Sequence, residues 1–313
     1  MIPRHRTRRF YTTMTSSRRS PQLRNRCLVR SWGSLAVAVA LAVVGQAARA
    51  TEHPLDIRPA AEATWGGPIQ DVDKVLHSAA EALWLHFPER TLKPILVEPK
   101  GGPIVLLRRG PNGEYLVRLN TGNRLWAQHA YQFAHEFGHI LANYDEHERC
   151  NKWFEESICE TASLFALRRM SETWKVRPPY PNWREYSPDL AKYADRRIRS
   201  AQLPPSKTLA QWYRENEAML QQEPCLRDKN TVVAVALLPL FEKQPESWEA
   251  ITWLNDGTSH STRTFARYLG DWHAHVPGKH RPIVRQIARE FGMEIKDETA
   301  IPRQSRDTSS GRW

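Results

Sequence analysis

Two pairs of ionisable residues, each four positions apart, restrict this chain more than any other feature. In His135-Glu136-Phe137-Gly138-His139 two imidazoles lie within an apolar, helix-periodic stretch, Arg124–Asn143. Glu156 and Glu160 repeat that spacing within Lys152–Ser171, among Phe154, Ile158, Cys159, Ala162, Phe165 and Ala166. A helical residue advances by ~100°, so each pair is separated by ~40° and shares one face, one turn apart. Acids aimed from a mostly apolar helix into a core are costly unless they are paired or bind a cation. The fold must therefore supply such partners to this second helix.

Elsewhere the pattern is mixed. Residues 69–87 place Ile69, Val72, Val75, Leu76, Ala79, Leu83 and Phe87 at helical spacing, and Pro88 ends that helix. Three short strands are expected at Leu92–Glu98, Pro103–Arg109 and Glu114–Asn120, divided by Gly101-Gly102 and Gly110-Pro111-Asn112-Gly113. The second and third read as a hairpin. Arg177–Pro188, rich in proline and aromatics, reads as an ordered loop, with Trp183 and Tyr186 packed. Helices are expected near 207–221, 230–243, 246–254, 261–275 and 280–290, with Trp212, Trp248, Trp253 and Trp272 in their core. The polar residues 296–313 read as a loose tail. The order indicates α+β: a small, mostly antiparallel sheet beside the two-histidine helix in residues 51–172, then a helical part over 173–295.

The net charge of +11 suggests a nucleic-acid partner until it is located. Residues 1–50 contain ten arginines, no lysine and no acid, which leaves 35 basic against 34 acidic residues in the remainder. A net +1 over that length excludes an electrostatic argument for DNA or RNA. The arginine-rich front, the apolar Leu35–Val44 and Ala48-Arg49-Ala50 read as a secretory signal cut near Ala50-Thr51. The expected location is secreted, periplasmic or cell-envelope, with no membrane span after cleavage. Export permits disulfides, and Cys150 and Cys225 either pair or stay, with Cys159, as thiols. No C-x-x-C is present to hold zinc.

The H-E-x-x-H spacing lets both imidazoles reach one metal at about 2.0–2.1 Å. Glu136 then projects beside a metal-bound water without being a ligand, as a general base requires. Tetrahedral zinc with an open position needs a third protein ligand. Either Glu156 or Glu160 can provide it, while the other accepts a hydrogen bond from a liganding imidazole.

Taken together, H135-E136-F137-G138-H139 and W153-F154-E155-E156-S157-I158-C159-E160 resemble the glutamate-zincin metallopeptidases, which include thermolysin and the zinc aminopeptidases. The similarity covers roughly residues 69–172. It implies a zincin-like fold and one Zn2+ held by His135, His139 and Glu156. It further implies Glu136 as the base, Glu160 behind a liganding histidine, and a peptide or protein substrate. It also implies a substrate-binding edge strand just before the metal-binding helix, a position that Glu114–Asn120 occupies.

Other third ligands fit less well. A metzincin continuation would require a glycine and then a histidine where Ala142 and Asp145 stand. His147 follows His139 by only eight residues, and Glu155 points ~100° away from Glu156. Tyr180, Tyr186, Arg227 and His273 are the candidates to stabilise an oxyanion, and spacing does not choose among them. His273, His275 and His280 resemble a second metal cluster by composition only. Two functions follow as expectations: an exported zinc peptidase, or a noncatalytic zinc-containing envelope protein that binds peptide.

Overall fold

The computed structural model describes residues 54–144, 151–256 and 264–295. The signal segment, Cys150, His147 and the tail 296–313 lie outside the described residues.

Elements follow in the order β1 (Ile57–Pro59), α1 (Ile69–Trp84), β2 (Ile95–Glu98), β3 (Ile104–Val105), β4 (Tyr115–Arg118), α2 (Trp126–Leu141) and α3 (Lys152–Val176). A 3₁₀ turn at Pro181–Tyr186 leads into α4 (Ser187–Ser200), α5 (Leu209–Gln222) and α6 (Arg227–Lys243). A second 3₁₀ segment, Pro245–Trp253, precedes α7 (Phe265–His275) and α8 (Arg281–Glu290). The fold is α+β and mostly helical.

The sheet has the order β1-β2-β4-β3. It is mixed: β1–β2 and β2–β4 are parallel, and only β3–β4 is antiparallel. The expectation of a mostly antiparallel sheet is corrected on this point. Turn signals in the sequence disclose the β3–β4 hairpin, but β1 is only three residues long and has no period to read. It adds alongside β2 through α1, the long crossover that a parallel pair requires. Period-2 alternation holds where the strands are long enough. Ile95, Val97, Val105 and Val117 are buried on the helix side, whereas Leu96, Glu98 and Arg118 are not.

Two helices form the centre. Of the sixteen residues of α2, only Gln128 and His135 escape full burial. The twenty-five-residue α3 is buried on nearly every side through its first five turns, packed against α1, α2, α4 and α6. A helix without a polar face belongs inside a core. A single hydrophobic cluster runs from the sheet to α8, so α3 serves as a wall shared by residues 51–172 and 173–295.

Arg177–Pro188 is more regular than a loop. Trp183 stacks on Trp126 at 5.6 Å, and the Tyr186 hydroxyl accepts a hydrogen bond from the Ala127 N–H at 3.2 Å. This packs both aromatics against the first turn of α2. Helix α4 has little apolar period to announce it, because its buried residues, Leu190 and Ala194 among them, are few and its remaining face is polar. Trp248 and Trp272 are fully buried, while Trp212 and Trp253 pack at the core margin. Among the described residues no helix is long and apolar enough to cross a membrane.

His86 follows α1 and packs edge-on against Phe165 at 5.9 Å, and its Nε2 has no hydrogen-bond partner among the described residues. Burial, aided by the positive charge of Arg169, lowers its pKa to about 4. Unfolding restores a value near ~6.5, so the unfolded chain binds the extra proton between those limits. This contribution to stability is complete above pH ~6.5 and is lost as pH falls toward 4, up to about 3 kcal/mol. Urea titrations at pH 7 and pH 4.5 should show a smaller acid-induced loss for His86→Phe than for the parent chain. Equal losses would remove His86 from the account.

Candidate metal centre

Contacts between α2 and α3 pair His135 with Glu160, His139 with Glu156, and Tyr131 with Ser163. Positions rise on one helix as they fall on the other, so the helices are antiparallel. Their close approach at the site depends on Gly138, where an added Cβ would lie 3.1 Å from Cys159 Sγ and 3.2 Å from Cys159 Cα. A small residue at 138 therefore sets how near the next residue, His139, comes to α3.

The expected ligands meet. Glu156 Oε2 lies 3.2 Å from His135 Nε2, and Glu156 Oε1 lies 3.6 Å from His139 Nε2. One donor atom from each of the three residues falls within 4.8 Å of the others. Donors about 2.0–2.1 Å from a tetrahedral ion are separated by about 3.4 Å. The two separations, which end on different Glu156 oxygens, lie on either side of that edge, and the donors are close enough together for a small divalent ion.

Each imidazole also has a carboxylate behind it. His139 Nδ1 is 2.5 Å from Glu155 Oε1, and His135 Nδ1 is 3.7 Å from Glu160 Oε2. With Nδ1 as the proton-bearing nitrogen facing each outer carboxylate, each Nε2 would be the nitrogen left to hold an ion beside Glu156. Glu160 accepts a short hydrogen bond from the Tyr131 hydroxyl, and the Thr231 hydroxyl lies 3.2 Å away. The Arg197 guanidinium lies over the Tyr131 ring at 4.7 Å and adds positive charge near Glu160. Glu155 is held through its other oxygen by Asn255 Nδ2 at 3.2 Å, which also donates to the Ala142 carbonyl at 3.0 Å.

Glu155 thus has a function that the sequence reading did not give it. The ~100° offset that turns it away from the shared face of Glu156 turns it toward the far side of His139. Its neighbour Cys159 is close enough for a second donor group, His139-Glu155-Cys159. That group is fully buried, and neither Glu155 nor Cys159 reaches the cleft described below. Burial pushes the Cys159 thiol up to about 12, so it is neutral at pH 7. Glu155 therefore orients the imidazole.

Without an ion, the site is a compact set of opposite charges. Burial lowers the pKa of His135, but hydrogen bonds to Glu156 and Glu160 and the charge of Glu136 outweigh it and raise the pKa to about 9. Burial opposes ionisation of Glu156 too, yet the charge of His139 and hydrogen bonds from both histidines hold its carboxyl far below the usual range. Glu136 differs. Burial raises its pKa, opposed by the two histidine charges and by a backbone hydrogen bond from Val105. It is 3% exposed and lines the cleft beside the donors.

The cleft has a volume of about 980 Å³ and opens on His135, Glu136, His139, Glu156 and Glu160. The expected edge strand is corrected here. β4, within Glu114–Asn120, is interior to the sheet, and β3 is the edge that borders the cleft. The reason is the hairpin, which folds β3 back outside β4. Ile104 and Leu107, both on this rim, are 45% and 51% exposed. Of the four oxyanion candidates only Arg227 lines the cleft. Tyr180 and Tyr186 belong to the Trp174–Trp183 aromatic cluster, and His273 lies beside Arg285 of α8. The cleft also contains Tyr131, Tyr144, Lys152, Tyr193 and Arg197, which only the arrangement of helices brings to this place. No family model, curated protein or solved structure matches the chain.

Gly138→Val should force the helices apart and reduce stability by about 1–3 kcal/mol, measured by urea denaturation. Glu155→Gln keeps the shape but lowers the basicity of His139, so divalent-ion affinity should fall about 10- to 100-fold by calorimetric titration. Unchanged affinity would show that Glu155 is not coupled to the donor set.

Proposed function

We propose that the chain is an exported zinc-dependent metallopeptidase of the glutamate-zincin type. The observation that carries this reading is the convergence of one donor atom each from His135, His139 and Glu156 within 4.8 Å in the lining of a cleft. His135, His139 and Glu156 would hold one Zn2+, which when bound supplies a Lewis acid that polarises a carbonyl and acidifies water. Glu155 and Glu160 fix the tautomers of the two histidines.

Glu136 moves the proton. Its carboxylate accepts one from the attacking water and returns it to the amine nitrogen as the peptide bond breaks. Burial in the cleft wall strengthens it as a base, because desolvation disfavours the charged form that must receive the proton. The free edge of β3 suits an extended peptide, which would add as a further strand by backbone hydrogen bonds while Ile104 and Leu107 receive alternate side chains.

The rival reading, a noncatalytic zinc protein that binds peptide, rests on the fact that Arg227 alone of the four expected oxyanion donors reaches the cleft. The same experiment separates the two. Purified mature chain should contain one zinc per molecule by mass spectrometry and cleave members of a mixed peptide library. His139→Ala should lose the metal. Glu136→Gln should keep the metal and lose at least 10²-fold in kcat. A chain that holds zinc and binds peptides without cutting them supports the rival, and a chain without stoichiometric zinc defeats both.

A further inference from the structure

The strand and helix parts of the cleft lining differ in charge. The β3 side presents Ile104, Val105 and Leu107, which carry none. The helices contribute Lys152 from the start of α3, Arg197 from α4 and Arg227 from the first turn of α6. Two of these cations serve the site itself. Arg197 lies over the Tyr131 ring and is drawn by Tyr131, Glu160 and Tyr193. Lys152 is drawn chiefly by Glu155 and Glu156. Arg227 is different: its guanidinium is exposed, lines the cleft and has no hydrogen-bond or ion-pair partner among the described residues. Only its backbone carbonyl is engaged, by the Thr231 hydroxyl at 2.7 Å.

The charge balance gives this cation a consequence. With both histidines neutral, as an ion on their ring nitrogens would require, the acids facing the cleft, Glu136, Glu156 and Glu160, offset Lys152, Arg197 and Arg227 one for one. A divalent ion on the three donors would add two positive charges to that balance, and of the three cations Arg227 is the exposed one. A planar guanidinium offers a forked pair of N–H donors, the geometry that a carboxylate matches.

We propose that the cleft selects peptides carrying a carboxylate on the side of the scissile bond that faces α6, with Arg227 as the group that binds it. The inference rests on the peptidase reading for its substrate class. The carboxylate is either a free C-terminus or an Asp or Glu side chain, because Arg227 would bind both through the same pair of bonds. On an apolar, uncharged wall such as that of β3 a carboxylate would find no charged partner.

The test reads binding, so that it does not depend on turnover. Zinc-loaded Glu136→Gln chain is titrated by fluorescence anisotropy with three matched labelled peptides. One has a free C-terminus, one is C-terminally amidated, and one is amidated with an internal Glu in place of Gln. The peptide with the favoured carboxylate should bind at least tenfold more tightly than the plain amide. The preferred arm identifies the source of the carboxylate. Arg227→Ala should reduce that preference to twofold or less, while Arg289→Ala, an exposed arginine of α8 away from the cleft, should leave it intact. Equal affinities for all three peptides, binding of none, or a preference that survives Arg227→Ala would overturn the inference. Cleavage of the same peptides by the unsubstituted chain reads the peptidase proposal separately: hydrolysis without a carboxylate preference defeats this inference and leaves that reading standing.

Discussion

The organisation of this protein depends on the contact between α2 and α3, where two imidazoles are surrounded by carboxylates in a place that excludes most water. Glu155, Glu156 and Glu160 all lie within ion-pair distance of His135 or His139. Isolated buried charges would be prohibitive, so these groups must be distributed in pairs. The pairing is orderly: one carboxylate faces both Nε2 atoms, and one further carboxylate stands behind each Nδ1. A cation placed among the Nε2 atoms and Glu156 leaves the outer pairs undisturbed. The same contact thus satisfies the core and prepares a donor set.

That contact is supported from both directions. Gly138 against Cys159 keeps the backbones near, and the buried aromatic residues of α3, Trp153 and Phe154, anchor it to α5, α7 and the end of α8. The helical remainder also reaches the site directly. Asn255, after the second 3₁₀ segment, steadies Glu155, and Arg197 of α4 steadies Glu160 by its charge. The division between a first part that contains the donor residues and a helical second part is thus a division of sequence pattern. One core and one set of hydrogen bonds serve both.

The cleft follows from the same packing. The edge strand β3 and residues of α4 to α6 contribute to its lining. His135 is one of two α2 residues that avoid complete burial, so the donor set is open on one side only. Glu136 lies at that opening, near enough to β3 for a backbone hydrogen bond from Val105 to affect its ionisation. The edge strand β3, the Glu136 carboxylate and the His135-His139-Glu156 group consequently border one cleft.

Much of this could be read from residue order because helical periodicity is local. Spacing alone predicts that His135 pairs with His139, that Glu156 shares a face with Glu160, and that both helices are apolar enough to be buried. The hairpin is legible from its turn residues. The position of β3 outside β4, the parallel pairing of β1, the assignment of Glu155 to His139 and the presence of Arg227 in the cleft were not legible. Each depends on which elements become neighbours across long stretches of chain, and side-chain period carries no information about that. Residue order determined which atoms could become donors; packing decided how near they come, which carboxylate serves which imidazole, and which side faces solvent, because those distances are fixed only when the apolar faces of several distant helices are buried together.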